Sequence, residues 1–414
     1  MKQVVIVANF AATFGGNFIQ SMKALQANEE ISVRYILPEA ARKCNWIPEL
    51  TKVYYTDWSF GSLRSVWKEV NQAQVVDIVH FHFVGGKEAL RCKIVFSPAD
   101  KIVWHLHNHV VRWPGRLVWL KDLAKRYLYH GSYKIGVSNS VADSMRFYSS
   151  KHVTTVYNAM DFDRLSWIGE DHCIETSSEA IRCMIMGNHY ERKGVDIAAK
   201  AMQLLNGGGH PAVLYVVLND SMVPALRDFL RQSLGTNDFD SYIKTIPVRN
   251  DIATYYKKID VFLSPSREEG WTWAIDEAAY CGCQVIASRI PGQDENTVPG
   301  FLWCGNPNEK DITKEMANQI LYLSQMPNEE KEKKTKVARD YMRKEFSMDK
   351  WVENILAVYR ESALYNFYAA SEVDKTSLHK ACTKSVGFFA DWALETKVPK
   401  NISRCICQLI WLRS

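Results

Sequence analysis

The sequence predicts an α/β protein with two domains, each built on a parallel β-sheet. The chain has 414 residues, which is more than one hydrophobic core usually organises, because single cores stop growing near ~250 residues. Short runs rich in Val and Ile alternate with segments of helical periodicity over most of the length. Such runs are typical of strands buried on both faces, and their alternation with helices predicts parallel sheets covered by helices.

The strand candidates fall into two series separated by a polar stretch at 168–180, which we interpret as a linker. The first series is 4–8, 33–37, 78–81, 102–106, 134–137 and 154–157; the second is 183–186, 213–218, 242–245, 261–264 and 284–287. The predicted domains are therefore residues 1–165 and 181–345, joined by a linker at 166–180. A helical segment at 346–366 and an extension at 367–414 follow.

Composition argues against several classes of protein. Apolar residues make up 47% and charged residues 23% of the chain, which fits neither a disordered chain nor a membrane bundle. The formal net charge of +5 is too small to indicate binding of nucleic acid. The ten cysteines show no paired zinc-ligand or Cys-x-x-Cys spacing, and the apolar start of the chain is more typical of a buried strand than of a signal peptide. We therefore expect a cytoplasmic protein with reduced thiols.

Two neighbouring glycines, Gly15 and Gly16, follow the first predicted strand and precede a predicted helix. Paired glycines let the backbone approach a ligand closely, and the free N–H groups of a helix start attract an anion. An ordinary tight turn explains the same pair, so this signal is weak by itself. The dinucleotide pattern Gly-x-Gly-x-x-Gly does not occur at this turn, which argues against a dehydrogenase.

Two groups of histidines lie at the ends of predicted strands. His80 and His82 belong to one strand end, and His105, His107 and His109 to the next. Ligands of open α/β sheets bind at that edge, so one of these side chains is expected to face a ligand. No carboxylate lies among them in the sequence, and successive strand positions point to opposite faces. We therefore expect no metal site here and a structural role for most of them.

The segment at 264–282 favours a binding site most strongly. It is predicted to run from strand to loop to helix, with Glu269 in the loop and Glu277 about one turn inside the helix. At ~1.5 Å rise per residue, two carboxylates so placed can hold different parts of one extended ligand, and they accept hydrogen bonds from sugar or ribose hydroxyls. Surface acids near a helix start are the simpler explanation of the same pattern. Lys193, at another predicted helix start, suits a phosphate but is equally unspecific alone.

Glu269 and Glu277 enclose seven residues in a frame of Pro-Ser…Glu-Gly-Trp…Glu-Ala…Gly. This frame resembles the Glu-x7-Glu signature of family 4 retaining glycosyltransferases, which have the GT-B fold of two Rossmann-like domains facing across a cleft. Further segments are similar in the same order: the Gly15-Gly16 turn, Asp77-Ile-Val-His80, the strand ending near His107, Asn158-Ala-Met-Asp161, Lys193-Gly194 and the strand before the acidic loop. The resemblance covers about residues 1–360.

The resemblance implies a retaining transferase that moves a sugar from a UDP-linked nucleotide-sugar to a hydroxyl of a glycan or lipid-linked acceptor, without a required metal or cofactor. It assigns catalysis to His107, Lys193 and Glu269. It assigns donor binding to Gly15, Gly16, Asn188, Arg192, Lys193, Arg249, Glu269, Gly270, Trp271, Thr272, Trp273 and Glu277. The diphosphate would face Gly16 and Lys193, the ribose would bind Glu277, and the donor sugar would bind Glu269 and the backbone at 271–273. The helix at 346–366 is expected to cross back to the N-terminal domain.

Two positions depart from the family pattern. Asn188 stands where the family usually has Arg, and Thr272 stands where it usually has Gly or Pro. The first departure weakens the expected hold on the diphosphate, for which Arg192 or Arg249 could compensate. It leaves open a non-catalytic GT-B subunit that binds a partner or a glycan, although the retention of Lys193 and both glutamates argues against this alternative.

A metal-dependent GT-A transferase is a further alternative, because its hallmark is an Asp-x-Asp triplet. The chain has two such triplets, Asp161-Phe-Asp163 and Asp238-Phe-Asp240. Both are explained more simply as carboxylate pairs of turns or helix starts. We therefore expect the GT-B arrangement.

A helix predicted after Pro114 suggests that the protein works at a membrane surface. Its apolar stripe consists of Leu117, Leu120, Leu123, Ala124, Tyr127 and Leu128, and it is flanked by Arg116, Lys121, Lys125 and Arg126 and by Trp113, Trp119 and Tyr129. Basic and aromatic flanks are typical of interfacial helices, although the stripe itself is expected to pack on the sheet. The segment at 400–413 is a second basic and apolar candidate. We expect peripheral contact with an anionic membrane surface.

Overall fold

The computed structural model describes residues 1–96, 102–112, 118–176 and 179–372, with side chains up to Glu361. The chain divides into a unit of residues 1–360, which contains both sheets, and a second unit of residues 361–414. The predicted boundaries of the two sheet domains, the linker and the extension stay predictions. Within the described residues, no helix combines the length and apolarity that crossing a membrane requires.

Two parallel sheets organise the first unit, with seven and six strands in the described part of the chain. The first sheet has the order β3-β2-β1-β4-β5-β6-β7, and the second has the order β10-β9-β8-β11-β12-β13. The strands of the first sheet are β1 (Lys2–Ala8), β2 (Ile31–Pro38), β3 (Val53–Thr56), β4 (Ile78–His82), β5 (Ile102–Leu106), β6 (Tyr133–Gly136) and β7 (Val153–Thr155). Those of the second are β8 (Ile181–Met186), β9 (Ala212–Val217), β10 (Ile243–Ile246), β11 (Val261–Ser264), β12 (Gln284–Ser288) and β13 (Leu302–Cys304).

Helices connect most consecutive strands within each sheet, as parallel pairing favours, and further helices follow β13. In the first half they are α1 (Gly16–Gln26), α2 (Phe60–Ala73), α3 (Gly86–Val95), α4 (Val118–Tyr129) and α5 (Asn139–Arg146). In the second half they are α6 (Tyr190–Lys193), α7 (Val195–Gly207), α8 (Val223–Leu234), α9 (Ala253–Tyr256), α10 (Trp273–Cys281), α11 (Thr313–Ser324) and α12 (Asn328–Glu345). The helix α13 (Met348–Glu372) begins in the first unit and ends in the second.

The central strands form where the sequence has continuous apolar runs. Residues 4–8 of β1 are completely buried, because helices cover both faces of the sheet. Two strands, β3 and β13, were not predicted from the sequence; each lies at one edge of its sheet. Each has only three or four residues and is partly exposed, so neither carries the long apolar run by which the central strands are recognised.

Packing joins the two sheets into one unit. Trp351, Ile355 and Tyr359 of α13 lie in the same core cluster as Ile6 of β1, so the chain end of the first unit packs against its first strand. Another core cluster contains residues from both halves of the chain. In it, Val141 of α5 from the first half packs with side chains of the second sheet and its helices. The loops after β4 and β5 contact each other through Phe83 and His107, and the loop after β11 packs on His107 and on Lys193 after β8.

Candidate active site

The loop after β11 places Glu269 beside two cations. Glu269 is only 4% exposed, and its Oε1 accepts a hydrogen bond from Nζ of Lys193 at 2.5 Å. Its Oε2 lies 3.4 Å from Nη1 of Arg192, and the same Nη1 donates to the carbonyl of Glu268 at 3.1 Å. Three of the predicted donor-site residues are therefore in direct contact, although 76 residues separate Lys193 from Glu269.

Glycines bring these loops within contact distance. Gly194 has a φ of +70°, and a β-carbon at this position would lie 2.1 Å from the carbonyl oxygen of Pro265. A β-carbon on Gly270 would lie 2.1 Å from the carbonyl oxygen of His107. Both distances are far below van der Waals contact. Only glycine at these positions therefore lets the turn after Lys193 and the loop after β5 pack against the loop that carries Glu269.

Glu277 lies in the first turns of α10 and is held by residues from three other segments. Its Oε1 accepts hydrogen bonds from Asn17 Nδ2 at 2.8 Å and from Nη2 of Arg164. The hydroxyl of Tyr256 lies 3.4 Å from Oε2. Asn17 is the second residue of α1, so the predicted glycine turn reaches the second predicted glutamate directly.

The Gly15-Gly16 turn opens α1, as predicted. Gly16 begins the helix with a φ of +53°, and Gly15 at the N-cap position provides no side chain to cap it. The first N–H groups of the helix are thus not occupied by a capping side chain and offer partial positive charge to an anion.

The segment Trp271–Trp273 is fixed by side-chain hydrogen bonds. The indole of Trp271 donates to Asp276 at 3.2 Å, Thr272 donates to Gln293 at 2.9 Å, and the indole of Trp273 donates to the carbonyl of Ala159 at 3.1 Å. Thr272, which departs from the family pattern, therefore has a partner in the following loop. The backbone of the acidic loop is anchored on both sides of the turn that leads into α10.

Asp276 is a completely buried carboxyl group next to Glu277. Burial raises its pKa to about 8, against the opposing effect of hydrogen bonds from Asn296 and Trp271. The Nδ2 of Asn296 donates to Oδ1 of Asp276 at 2.6 Å. This group was not identified from the sequence, where Asp276 reads as an ordinary acid in the first turn of a helix.

His107 belongs to a cluster of four histidines at the ends of β4 and β5. Its Nε2 lies 3.1 Å from Nδ1 of His82, and its ring stacks on Phe83 at 3.9 Å between centroids. Nδ1 of His80 lies 2.7 Å from the hydroxyl of Tyr359. Neither ring nitrogen of the fourth member, His105, has a hydrogen-bond partner among the described residues.

Burial keeps these four imidazoles neutral. It lowers the pKa of His105 to about 3 and lowers those of His80, His82 and His107, which the neighbouring histidines lower further. One ring nitrogen each of His80, His82 and His105 lies within 4.8 Å of the others, which is a spacing open to a metal ion. The expectation that the protein needs no metal stays a prediction.

Two predicted donor-site residues, Asn188 and Arg249, have partners other than Glu269. The amide oxygen of Asn188 accepts a hydrogen bond from the backbone N–H of Asn219 at 3.4 Å. The guanidinium of Arg249 donates to both carboxylate oxygens of Asp251, at 2.7 and 2.6 Å. Of the two arginines considered as substitutes for the family Arg, the structure therefore brings Arg192 to Glu269 and pairs Arg249 with Asp251.

The Asp-x-Asp triplets have other partners. Asp240 forms an ion pair with Arg227 on the surface of the second half. Asp161 accepts a hydrogen bond from the backbone N–H of Arg164 at 3.2 Å, as expected of a turn carboxylate.

Asn17, Arg164 and Tyr256, which contact Glu277, were not predicted from the sequence. Asn17 directly follows the glycine pair, which is a signal that could have indicated it. Arg164 has no comparable signal, because a single arginine before a predicted linker is normally a surface residue.

The architecture is the GT-B fold, as predicted, and solved structures with this fold confirm it. The Anabaena protein HepE, solved in complex with UDP and glucose, matches with a TM-score of 0.67 over 87% of this chain and 100% of that chain, at 16% identity. Sucrose-phosphate synthase from Thermosynechococcus elongatus matches with a TM-score of 0.69 over 89% of this chain and 100% of that chain, at 14% identity.

Sequence comparison also finds similarity to glycosyltransferases. Residues 180–326 match the family model of Glycosyl transferases group 1. An uncharacterized glycosyltransferase of Methanocaldococcus jannaschii is 27% identical over 326 residues, which are 76% of this chain and 84% of that protein.

Proposed function

We propose that this protein is a retaining glycosyltransferase that transfers a sugar from a UDP-linked donor to a hydroxyl group of a glycan or a lipid-linked acceptor in polysaccharide or glycoconjugate synthesis. The observation that carries the proposal is the contact of Lys193 and Arg192 with the buried carboxylate of Glu269. Glu277 and the uncapped start of α1 lie in the same region. Cations, carboxylates and free N–H groups are what a sugar diphosphate needs.

Binding of the donor would change the partners of Lys193, Arg192 and Glu269. Without a ligand, the positive charge of Lys193 is directed at Glu269. A diphosphate brings negative charge that competes for Lys193 and Arg192, which frees the oxygens of Glu269 to accept hydrogen bonds from the donor sugar. Lys193, Arg192 and the α1 N–H groups would take the charge-stabilising role that a metal has in other transferases, so transfer needs no metal.

The proposed reaction needs no protein nucleophile. The acceptor hydroxyl attacks the anomeric carbon from the face that the diphosphate leaves, and the departing phosphate oxygen takes the hydroxyl proton. One carbon–oxygen bond breaks and another forms on the same face, so the anomeric configuration is retained. The protein contributes positioning and stabilisation of the leaving diphosphate, and His107 would approach the donor sugar from the first sheet.

The choice of UDP is tested by isothermal titration calorimetry with UDP, GDP and ADP, each with and without EDTA. We expect UDP to bind most tightly, with affinity unchanged by EDTA. Turnover is then measured as release of UDP from UDP-sugars, with retention followed by NMR of the product. Tightest binding of GDP or ADP would contradict the donor assignment. UDP binding without turnover of any UDP-sugar would favour the non-catalytic GT-B subunit.

We propose further that the enzyme contacts an anionic membrane surface through α4 and its surroundings. Trp119 of α4 is 41% exposed, as expected of a flanking aromatic. Two tyrosines differ from the prediction: Tyr127 of the apolar stripe is 46% exposed, whereas the flanking Tyr129 is buried together with Leu128. The guanidinium groups of Arg112 and Arg126 lie over the exposed ring of Phe147, at 5.5 and 5.8 Å from its centroid. This combination of exposed aromatic rings and cations supports binding at the headgroup level.

Parts of the predicted membrane-binding segments lie outside the described residues, namely 113–117 and 400–413. Each cation near an anionic surface contributes about 1 kcal/mol, so binding should be reversible and sensitive to salt. Sedimentation with anionic vesicles should show binding at low salt. The variant Lys121→Glu/Arg126→Glu, which reverses two exposed charges on α4, should lose this binding. The matched variant Lys333→Glu/Lys336→Glu on α12 changes the charge equally and should still bind. Equal and negligible binding to anionic and neutral vesicles would reject the membrane proposal.

A further inference from the structure

Arg164 is a buried arginine at the point where the first half of the chain ends. It opens a short 3-10 turn, Arg164–Ser166, and is 7% exposed. One guanidinium nitrogen, Nη2, contacts Oε1 of Glu277, and the other, Nη1, donates to the carbonyl of Asn250 at 3.2 Å. The residue thus ties the segment before the predicted linker to the helix that carries the second glutamate.

The contacts of Arg164 make the two oxygens of Glu277 unequal. Oε1 accepts from Arg164 and from Asn17 Nδ2 at 2.8 Å. Among the described residues, Oε2 has one longer contact, with the hydroxyl of the buried Tyr256 at 3.4 Å. Two donors on Oε1 fix the plane of the carboxylate, and Oε2 keeps the capacity to accept hydrogen bonds from a ligand.

A pocket adjoins the Arg164 side of this ion pair. It has a volume of about 230 Å³ and is lined by Gly15, Gly16, Asp161, Arg164 and Asn250, among others. The Nε of Arg164 is buried without a hydrogen-bond partner among the described residues. An arginine that lines an open pocket with one donor unused is suited to a ligand-binding region and not only to structural support.

The chemistry of arginine explains why this residue type suits the position. A planar guanidinium always carries its charge and presents several donors in a fixed geometry, which a flexible lysine does not do. Removing it would leave Glu277 buried without its cation, and the carboxylate would lose both its charge partner and its orientation.

We infer that Arg164 is a positioning residue for the ribose of the donor: it orients Glu277 so that Oε2 accepts the ribose hydroxyls. The inference rests on the proposed function, in which Glu277 binds the ribose. It predicts that Arg164 controls the preference for a ribonucleotide over its deoxy analogues and not the general affinity for a diphosphate.

The test compares the dissociation constants of UDP, 2′-deoxy-UDP and 3′-deoxy-UDP by calorimetry for the wild type and Arg164→Met. The wild type should prefer UDP at least about tenfold over one deoxy analogue, which is the effect of a hydrogen bond to a charged group. Arg164→Met should bring that ratio to within about threefold of unity, and Arg164→Lys should give an intermediate ratio. The matched control is Arg182→Met, which breaks an equally well-formed pair with Asp260, at 3.0 and 2.8 Å, elsewhere in the second half. It should keep the wild-type ratio.

The outcomes separate this inference from the proposed function. A wild type that binds no nucleoside diphosphate overturns the proposed function. A wild type that prefers UDP, with Arg164→Met retaining the full preference, overturns the inference alone. Because the readout is a ratio of two affinities on one folded sample, loss of stability in Arg164→Met cannot imitate the expected result. If Arg164→Met does not fold, Arg164→Lys provides the same comparison, and an unchanged ratio there overturns the inference.

Discussion

At the scale of the residue, the pair of Lys193 and Glu269 is the most specific feature of the site. The side chains are 17% and 5% exposed, so little water screens their interaction, and a buried charge without a partner would be costly. A surface ion pair would contribute little to stability or function. Because this pair is buried and lies beside a second cation, Arg192, we expect it to contribute to ligand binding.

We predict that Lys193→Ala removes most of the transferase activity. The variant should lose ~2–4 kcal/mol of transition-state stabilisation, as for removal of one preorganised charge contact, which is about 30- to 1000-fold in kcat/KM. The matched control is Lys244→Ala, because Lys244 is exposed and its ammonium group donates to the backbone carbonyl of Asp240 on the surface. Near-wild-type turnover in a Lys193→Ala variant with a normal thermal unfolding profile would contradict the assignment.

At the scale of the element, the turn between α6 and α7 determines where Lys193 lies. Gly194 ends one helix and begins the next with a left-handed backbone, and it packs against the carbonyl of Pro265. His189, which precedes α6, also has a left-handed φ of 60°. Conformations of this kind are rare outside glycine and persist where the surrounding structure imposes them.

We predict that Gly194→Ala weakens both stability and UDP binding. The left-handed backbone alone should cost about 1–2 kcal/mol, and the clash with Pro265 should move Lys193 away from Glu269. Urea unfolding and calorimetry with UDP measure the two effects.

The control for this change is Gly207→Ala at the end of α7, where an added β-carbon meets no atom within 4 Å. Its effect on stability should stay within about 1 kcal/mol, because alanine suits a helix. A Gly194→Ala variant with wild-type stability and UDP affinity would show that the close approach to Pro265 is not required.

At the scale of the whole molecule, the histidine cluster lies where the ends of the first unit meet. His80 contacts Tyr359 of α13, and the same helix packs against β1. The four imidazoles are neutral in the folded state because burial lowers their pKa values. In the unfolded chain a histidine has a pKa of about 6.5, so the unfolded state binds more protons below that pH.

We predict that this protein loses stability as the pH falls from about 6.5 towards 5. The sign follows from proton linkage: where the unfolded state binds more protons, stability decreases as pH decreases. For His105, whose folded pKa is about 3, the loss approaches ~1.4 kcal/mol per pH unit below its unfolded pKa. Asp276, whose folded pKa is raised to about 8, acts in the opposite direction in this window, but it is one group against four histidines. The melting temperature measured between these pH values gives the net slope.

A pair of variants isolates the contribution of the cluster. His105→Phe should reduce the slope of stability against pH by about one proton, because the ring is replaced by one that does not titrate. His210→Gln, at an exposed position, should leave the slope unchanged. An equal slope in His105→Phe and the wild type would contradict the prediction.

The sequence by itself determined the periodic features and the local motif. Buried runs such as residues 4–8 and 261–264 need only their own apolar side chains to be recognised. The loop with Glu269 and the helix with Glu277 follow from a local order of strand, turn and helix. The same local rules failed for β3 and β13, whose short edge positions are defined by pairing with a neighbour and not by their own residues.

The tertiary structure alone decided which side chains meet. Glu277 contacts Asn17 across 260 residues of sequence and Arg164 across 113, and the backbone of His107 packs on Gly270 from the other sheet. Such contacts depend on how the two sheets dock, and docking is a sum over many packed side chains in clusters shared by both halves. No local pattern encodes that sum, so the sequence could indicate the two glutamates but not the arginine that orients one of them.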